Sequence, residues 1–400
     1  MQRIRQRLDA TIWTTNLIVF AVAVFLAQFG QGLVASVRMN FFVDTIGLSS
    51  GQVLWLEGIR ELPGLVLIFL AALTMRLPLP YQAALSVLLM GVGYGLEAFV
   101  GSYSPLLVMA IIASFGFHLW TPLNSAIGLS LSTKENAGRV LGLLSSVTSL
   151  AAIAGMGAMA LISGVFESLA LNTYFLIAGG FIVLAAVLIL RLPKRIGSTE
   201  AEPPRILVKR RYWLYYVLIF FSGARKLVLS SFVTLVLVQD FGLEVWHVSS
   251  LMLAGNVLML LLSPYIGSLI DRLGEQVATP VGYGILAVCC IGYATISNLW
   301  VLVALWMIMK LATPLGLALS TYVYRSAPPE ELTPTLSAGV TFDHISSVGM
   351  PFLASALLPI VDYSGVFLAT AVLILISIPF ARALQTRSAA APQALPASSE

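Results

Sequence analysis

Four basic side chains sit deep in apolar sequence. His118, Arg225, Lys226 and Lys310 each fall near the middle of a run of spanning length. At 1.5 Å per helical residue they lie about 16–21 Å into a bilayer, close to its midplane. A charge at that depth costs roughly 2.5–3.5 kcal/mol on insertion scales, so it faces a bundle interior or cavity and takes an opposite charge as partner. Such a cation can hold a carboxylate or phosphate on a cargo molecule, or a protein carboxylate such as Asp343, which has His344 beside it. A structural ion pair between Lys310 and Asp343 is the alternative. A second group, Glu57, Arg60 and Glu61, occupies one helix face at spacings of three and four. Two carboxylates against one arginine leave an acid able to carry a proton; a purely structural salt bridge is the competing reading. Glu97, by contrast, reads as an interfacial residue near the outer surface.

Other chemistries are excluded. There is no G-x-x-x-x-G-K-[ST] phosphate loop. Three scattered histidines and no cysteine cluster give no metal-ligand spacing. No nucleophile–base arrangement stands out, so neither an enzyme nor a cofactor is expected. Cys289 and Cys290 are adjacent in an apolar run; neighbours on a helix diverge, so they read as small buried residues. The net charge of +4 does not indicate nucleic acid, because most basic residues flank apolar runs, as cytoplasmic loops do.

The elements that must position these groups are transmembrane helices. The chain is 58% hydrophobic and 10% charged, against about 25% charged in a soluble domain, and its mean hydropathy is +0.94. About twelve runs reach the roughly 20 residues a bilayer core needs: 15–38, 51–75, 81–101, 105–130, 138–163, 170–191, 212–239, 246–270, 277–297, 299–325, 334–360 and 363–382. The first is too long for a signal-peptide core and is read as a retained helix. Arg3, Arg5, Arg7, Arg76, Lys134, Arg139, Arg272, Arg325, Arg382 and the basic cluster of 191–211 fall on one side. That asymmetry places both termini in the cytoplasm of a plasma membrane, the inner one in a bacterium. Trp13, Tyr212, Trp213, Trp246 and Trp300 read as interfacial anchors. The expected organisation is an all-α membrane protein with an N-terminal bundle (1–191), a cytoplasmic linker (192–211), a C-terminal bundle (212–382) and a disordered cytoplasmic tail (383–400).

The two halves read as copies. Thr121-Pro122-Leu123 recurs as Thr313-Pro314-Leu315, 192 residues on. Val43, Gly47, Leu48 and Val53 match Val238, Gly242, Leu243 and Val248, 195 residues on. At these offsets His118 corresponds to Lys310 and Gln31 to Lys226. Parallel repeats about an axis along the membrane normal build one common transporter class.

Between spans eight and nine runs Gly267-Ser268-Leu269-Ile270-Asp271-Arg272-Leu273-Gly274. It resembles the G-x-L-a-D-r-x-G loop signature of the major facilitator superfamily, as does Gly138-Arg139-Val140-Leu141-Gly142 at the start of span five. The first-half loop departs from that signature, reading Leu73-Thr74-Met75-Arg76-Leu77-Pro78, and span five lacks the Gly-Pro pair of the family's drug–proton antiporters. The resemblance implies a twelve-helix fold of two pseudo-symmetric six-helix bundles, with spans one, four, seven and ten lining a central cavity. Gln31, His118, Lys226 and Lys310 are then candidates for one polar ring, with Arg225 beside it or turned to a neighbouring span. Asp271, flanked by Gly267, Arg272 and Gly274, is expected to latch the halves by docking on the helix N-terminus beside Arg139; a simple turn residue is the competing reading.

These features together lead to the expectation of a secondary transporter, acting as a monomer by alternating access on a small organic anion or zwitterion. Protons are the candidate coupling ion, through Glu57, Glu61, Asp343 or His344. An exporter of hydrophobic or cationic compounds and a non-transporting sensor or scaffold of the same fold are the rivals.

Overall fold

The computed structural model describes residues 13–67, 74, 76–133, 136–165, 169–197, 208–313, 315, 319, 322–323 and 326–384, with the side chains of 264, 271, 329–330 and 332–334 excepted. Among them there are helices and no strands. Each expected span is a helix: α1 (Thr15–Thr45), α2 (Ser50–Leu65), α3 (Leu79–Glu97), α4 (Tyr103–Ser130), α5 (Ala137–Val165), α6 (Leu171–Ile189), α7 (Arg210–Gln239), α8 (Val245–Leu273), α9 (Glu275–Thr295) and α10 (Leu299–Ala312). Two more, α11 (329–361) and α12 (363–382), meet at Asp362. The linker segment 198–207, Pro314 and the tail from 385 lie outside the described residues.

The helix ends follow local chemistry. Ser49 and Gln52 form a reciprocal capping box that starts α2. Its α-helical run, which includes Pro63, is interrupted at Val66, which turns out of helical geometry (φ −96°, ψ 10°); Leu67 and Thr74 are helical, and 68–73 and 75 lie outside the described residues. Gly274, at φ +73°, separates α8 from α9. At Asp362 the chain takes φ 52°, and the Asp362 carboxylate accepts the Gly365 N–H at 3.2 Å, starting α12.

The repeat is visible in the backbone. Gly47 (φ +71°) and Gly242 (φ +63°) end α1 and α7 in the left-handed conformation. In each case the following leucine N–H reaches six residues back, Leu48 to Phe42 O and Leu243 to Leu237 O, and both leucines are buried. Thr121 and Thr313 likewise both donate to the carbonyl four residues earlier. Two helices carry π-helical turns, α1 at Phe41–Thr45 and α7 at Val228–Phe232.

Contacts gather the chain into two units, 1–202 with 227–261 and 348–360, and 203–226 with 262–347 and 361–400. Within the first, α1 packs on α5 and α6, α3 on α4 and α6, and α2 on α4. Small residues allow these approaches, as membrane helices require where no hydrophobic effect drives them together. A side chain at Gly155 would strike the Phe29 carbonyl, and one at Gly116 the Met90 and Ser86 backbone. Within the second unit α9 packs on α10, Tyr216 stacks on Phe342 and Tyr293 lies against Phe367. Leu161, Leu261, Val288 and Val372 are each more than half exposed, as lipid-facing side chains should be.

Candidate functional site

In the first unit the acid–base group of α2 is built around Glu57, which is buried. Its Oε1 lies 2.8 Å from Arg60 Nη1 and 3.6 Å from Arg38 Nη2. Ser231, in the π-helical turn of α7, donates to Oε2 at 3.2 Å. Two guanidinium groups and a hydroxyl therefore surround this carboxylate. The Ser114 hydroxyl donates to the Arg60 carbonyl, and His118 Nδ1 sits 3.1 Å from that hydroxyl and 2.9 Å from the Ser114 carbonyl. Arg60 and His118 thus share Ser114 as a bridge. Glu61 lies one turn beyond Glu57, half-buried. Gln31 is also half-buried, and its Nε2 has no hydrogen-bond partner among the described residues.

In the second unit Arg225 and Lys226 diverge around α7. Arg225 is 4% exposed. Its guanidinium lies 3.8 Å from the centre of the Tyr283 ring, a cation–π geometry. Among the described residues Arg225 makes no ion pair, and both its Nη1 and the Tyr283 hydroxyl are buried without hydrogen-bond partners. Lys226 points the other way, with its side chain 43% exposed and its Nζ 3.7 Å from Asp343 Oδ2. Gly223 makes this approach possible, since any side chain there would meet the Asp343 carbonyl. His344, buried, places Nδ1 2.8 Å from the Val340 carbonyl. Lys310 is half-buried, 5.7 Å from the Trp306 ring centre, and has no ion pair among the described residues.

The sequence matches the family model of the Major Facilitator Superfamily over residues 20–304. The chain belongs to the Major Facilitator Superfamily. Solved structures share its fold at low identity. A bacterial homolog of the human lysosomal transporter Spinster, inward-facing and occupied, is 16% identical with a TM-score of 0.69, covering 91% of this chain and 95% of that one. The nucleoside transporter NupG is 13% identical with a TM-score of 0.74, covering 93% and 99%. A POT family transporter in complex with 5-aminolevulinic acid is 13% identical with a TM-score of 0.70, covering 92% and 96%. No curated protein sequence matches the chain. The chain is thus an integral membrane protein of the major facilitator type, with the twelve-helix fold expected from its spans.

Against the major facilitator signature, Gly267 stands in open space, Arg272 is exposed and Gly274 supplies the turn. The Asp271 side chain lies outside the described residues. Arg139 is exposed in the first turn of α5.

Several polar residues have roles that local sequence did not suggest. Glu97 is enclosed by the protein: it is 1% exposed, its Oε2 lacks a hydrogen-bond partner among the described residues, and Arg60 and Arg38 supply opposite charge within electrostatic range. The end of α3 is covered because Asn172, on α6, donates to the Ala98 carbonyl at 3.1 Å. Tyr212 is not an exposed anchor. It is buried and donates to Glu331 Oε2 at 2.9 Å. Lys209 (2.6 Å) and Arg211 bind the same carboxylate, so the end of the linker is fastened to the start of α11. Arg38, near the end of α1, is a second basic partner of Glu57.

Proposed function

We propose that the chain moves a small organic anion or zwitterion across the membrane by alternating access. The observation that carries this reading is Arg225. A guanidinium removed from water at bilayer depth, stacked on one aromatic face and with no carboxylate partner among the described residues, is an electrostatic debt that an anionic ligand would settle. The Tyr283 hydroxyl, without a hydrogen-bond partner among the described residues, adds a neutral donor of the kind that fixes a ligand's orientation. Lys310 gives a second cation in the same unit with no ion pair among the described residues, and the partly exposed Lys226–Asp343 pair offers complementary charges to the two ends of a zwitterion. The fold accommodates such cargo, since a POT family transporter of the same architecture was solved with 5-aminolevulinic acid, which carries a carboxylate and an amine.

Protons are the proposed coupling ion. Glu57, clamped by two arginines, serves better as a fixed counter-charge than as a carrier. Glu61, Asp343 and His344 remain the carriers proposed from sequence. Proteoliposome flux with a panel of labelled metabolite anions tests the reading. Arg225→Ala and Lys310→Ala are expected to lose at least about ten-fold in flux, as removal of a charge-assisted contact should. Undiminished anion flux in both variants would end it.

A further inference from the structure

A separate cavity lies in the first unit, at the ends of α1, α5 and α7 and the starts of α6 and α8. Its volume is about 310 Å³, and Asn40, Asp44, Ser163, Tyr174, Glu244 and Trp246 line it together with Leu169, Leu171 and Val245. None of its lining residues belongs to the candidate groups of α2, α4 and α10. Among the described residues no lysine, arginine or histidine lines it.

The polar groups it offers are acceptors. Asn40 is 1% exposed. Both hydrogens of its amide are committed, one to Asp44 Oδ2 at 3.1 Å and one to the Leu243 carbonyl at 2.8 Å. Those two acceptors fix which way the amide faces, because the flipped amide would set oxygen against oxygen. Its Oδ1 is consequently a buried acceptor, and it has no partner among the described residues. The Ser163 hydroxyl spends its hydrogen on the Met159 carbonyl at 2.6 Å and keeps its lone pairs. Glu244 accepts the Trp246 indole N–H at 2.9 Å, which leaves its other oxygen available and pins the indole in the wall. Tyr174, buried, supplies a second ring.

We propose that this cavity binds a small organic cation bearing a primary ammonium group. Such a group brings three N–H donors and a positive charge to a site furnished with two carboxylates, a carboxamide oxygen and a hydroxyl oxygen. Its carbon skeleton fits the leucine, valine and aromatic lining, and aromatic faces attract ammonium ions. The volume stands at the lower end of the range for small-molecule sites, roughly 300–1,000 Å³, far more than a bare metal ion fills. The buried amide oxygen distinguishes the site from a chance meeting of surface acids: the fold holds an acceptor out of water with nothing to receive.

Purified full-length protein in detergent is titrated with 1,4-diaminobutane, with 1,4-butanediol as the neutral isostere, and with calcium chloride, followed by thermal shift. The diamine is expected to raise the melting midpoint saturably and the diol to leave it unchanged. Asp44→Asn and Glu244→Gln should each weaken diamine binding at least about five-fold, the effect of one partly screened charge at contact distance. Glu244 is exposed, so its substitution tests the site even where Asp44→Asn disturbs the end of α1. Equal shifts with diol and diamine, unchanged diamine affinity in both variants, or saturable calcium binding that displaces the diamine would each overturn the proposal. None of these outcomes touches Arg225, so the anion reading stands or falls separately.

Discussion

Replacing Arg225 by methionine separates binding from folding. The guanidinium is 96% withdrawn from solvent (4% exposed) and has no ion pair among the described residues. Its removal eliminates a desolvation cost, and exchanging buried charge for apolar volume commonly stabilises by about 1–4 kcal/mol. Against that stands the Tyr283 stacking at 3.8 Å, worth about 2 kcal/mol when desolvated. The net expectation is an apo protein whose melting midpoint is unchanged or slightly higher. Ligand binding behaves oppositely. Charge-assisted hydrogen bonds contribute about 1.5–3 kcal/mol, so an anion held by Arg225 binds about 10- to 150-fold more weakly to the variant. At a concentration 100 times the parent dissociation constant, the ligand stabilises the parent by about 2.7 kcal/mol and the variant by about 1.4 kcal/mol or less. Thermal shift on both proteins, with and without the anion that gives the largest shift on the parent, reads this directly. A variant that melts far below the parent yet keeps its full ligand shift would refute the reasoning and make Arg225 a structural residue.

Three further outcomes follow from other parts of the fold. Glu57→Ala leaves Arg60 and Arg38 without their carboxylate and should destabilise by about 3–5 kcal/mol, whereas joint replacement of Glu57 and Arg60 by leucine should cost less; comparing detergent melting midpoints checks both. Asp362→Val puts a β-branched residue at φ 52°, ψ −167°, a region essentially reserved for glycine, and removes the carboxylate that accepts the Gly365 N–H; it should lose at least about 1–2 kcal/mol, while Asp362→Asn, which keeps a side-chain acceptor, should sit nearer the parent in the same assay. Glu331→Gln removes the shared partner of Lys209 and Arg211, whose side chains are 42% and 50% exposed. Its cost should stay near about 1 kcal/mol because solvent screens such pairs, and limited proteolysis should cut faster after Lys209 or Arg211.

The spans were legible because lipid demands long uninterrupted apolar runs, and glycines such as Gly47, Gly242 and Gly274 mark where the chain must leave a helix. The deep basic residues were legible for the same reason. Burial of particular polar groups was not. Glu97 stands near the end of its run, where interface and interior look alike, and only the Asn172 bond to Ala98 shows that this end is covered. The partners of Glu331 lie about 120 residues before it, and Asn40 meets Leu243 across 203 residues; no periodicity carries information over such distances. The direction of Arg225 was half legible: a 100° step from Lys226 predicts divergence, but the Tyr283 ring that receives it belongs to α9.

The five-residue π-helical turn Val228–Phe232 follows Lys226 by a single residue. Such a turn amounts to one surplus residue in an otherwise regular helix. Arg225 reaches Tyr283 on one side of it, and Ser231 reaches Glu57 within it. A homologue missing one amino acid here could keep Ser231 in name and lose its meeting with Glu57, since the hydroxyl would be wound on by about 100°. Chain length at this bend, as much as residue identity, is what a related sequence must preserve to inherit the same chemistry.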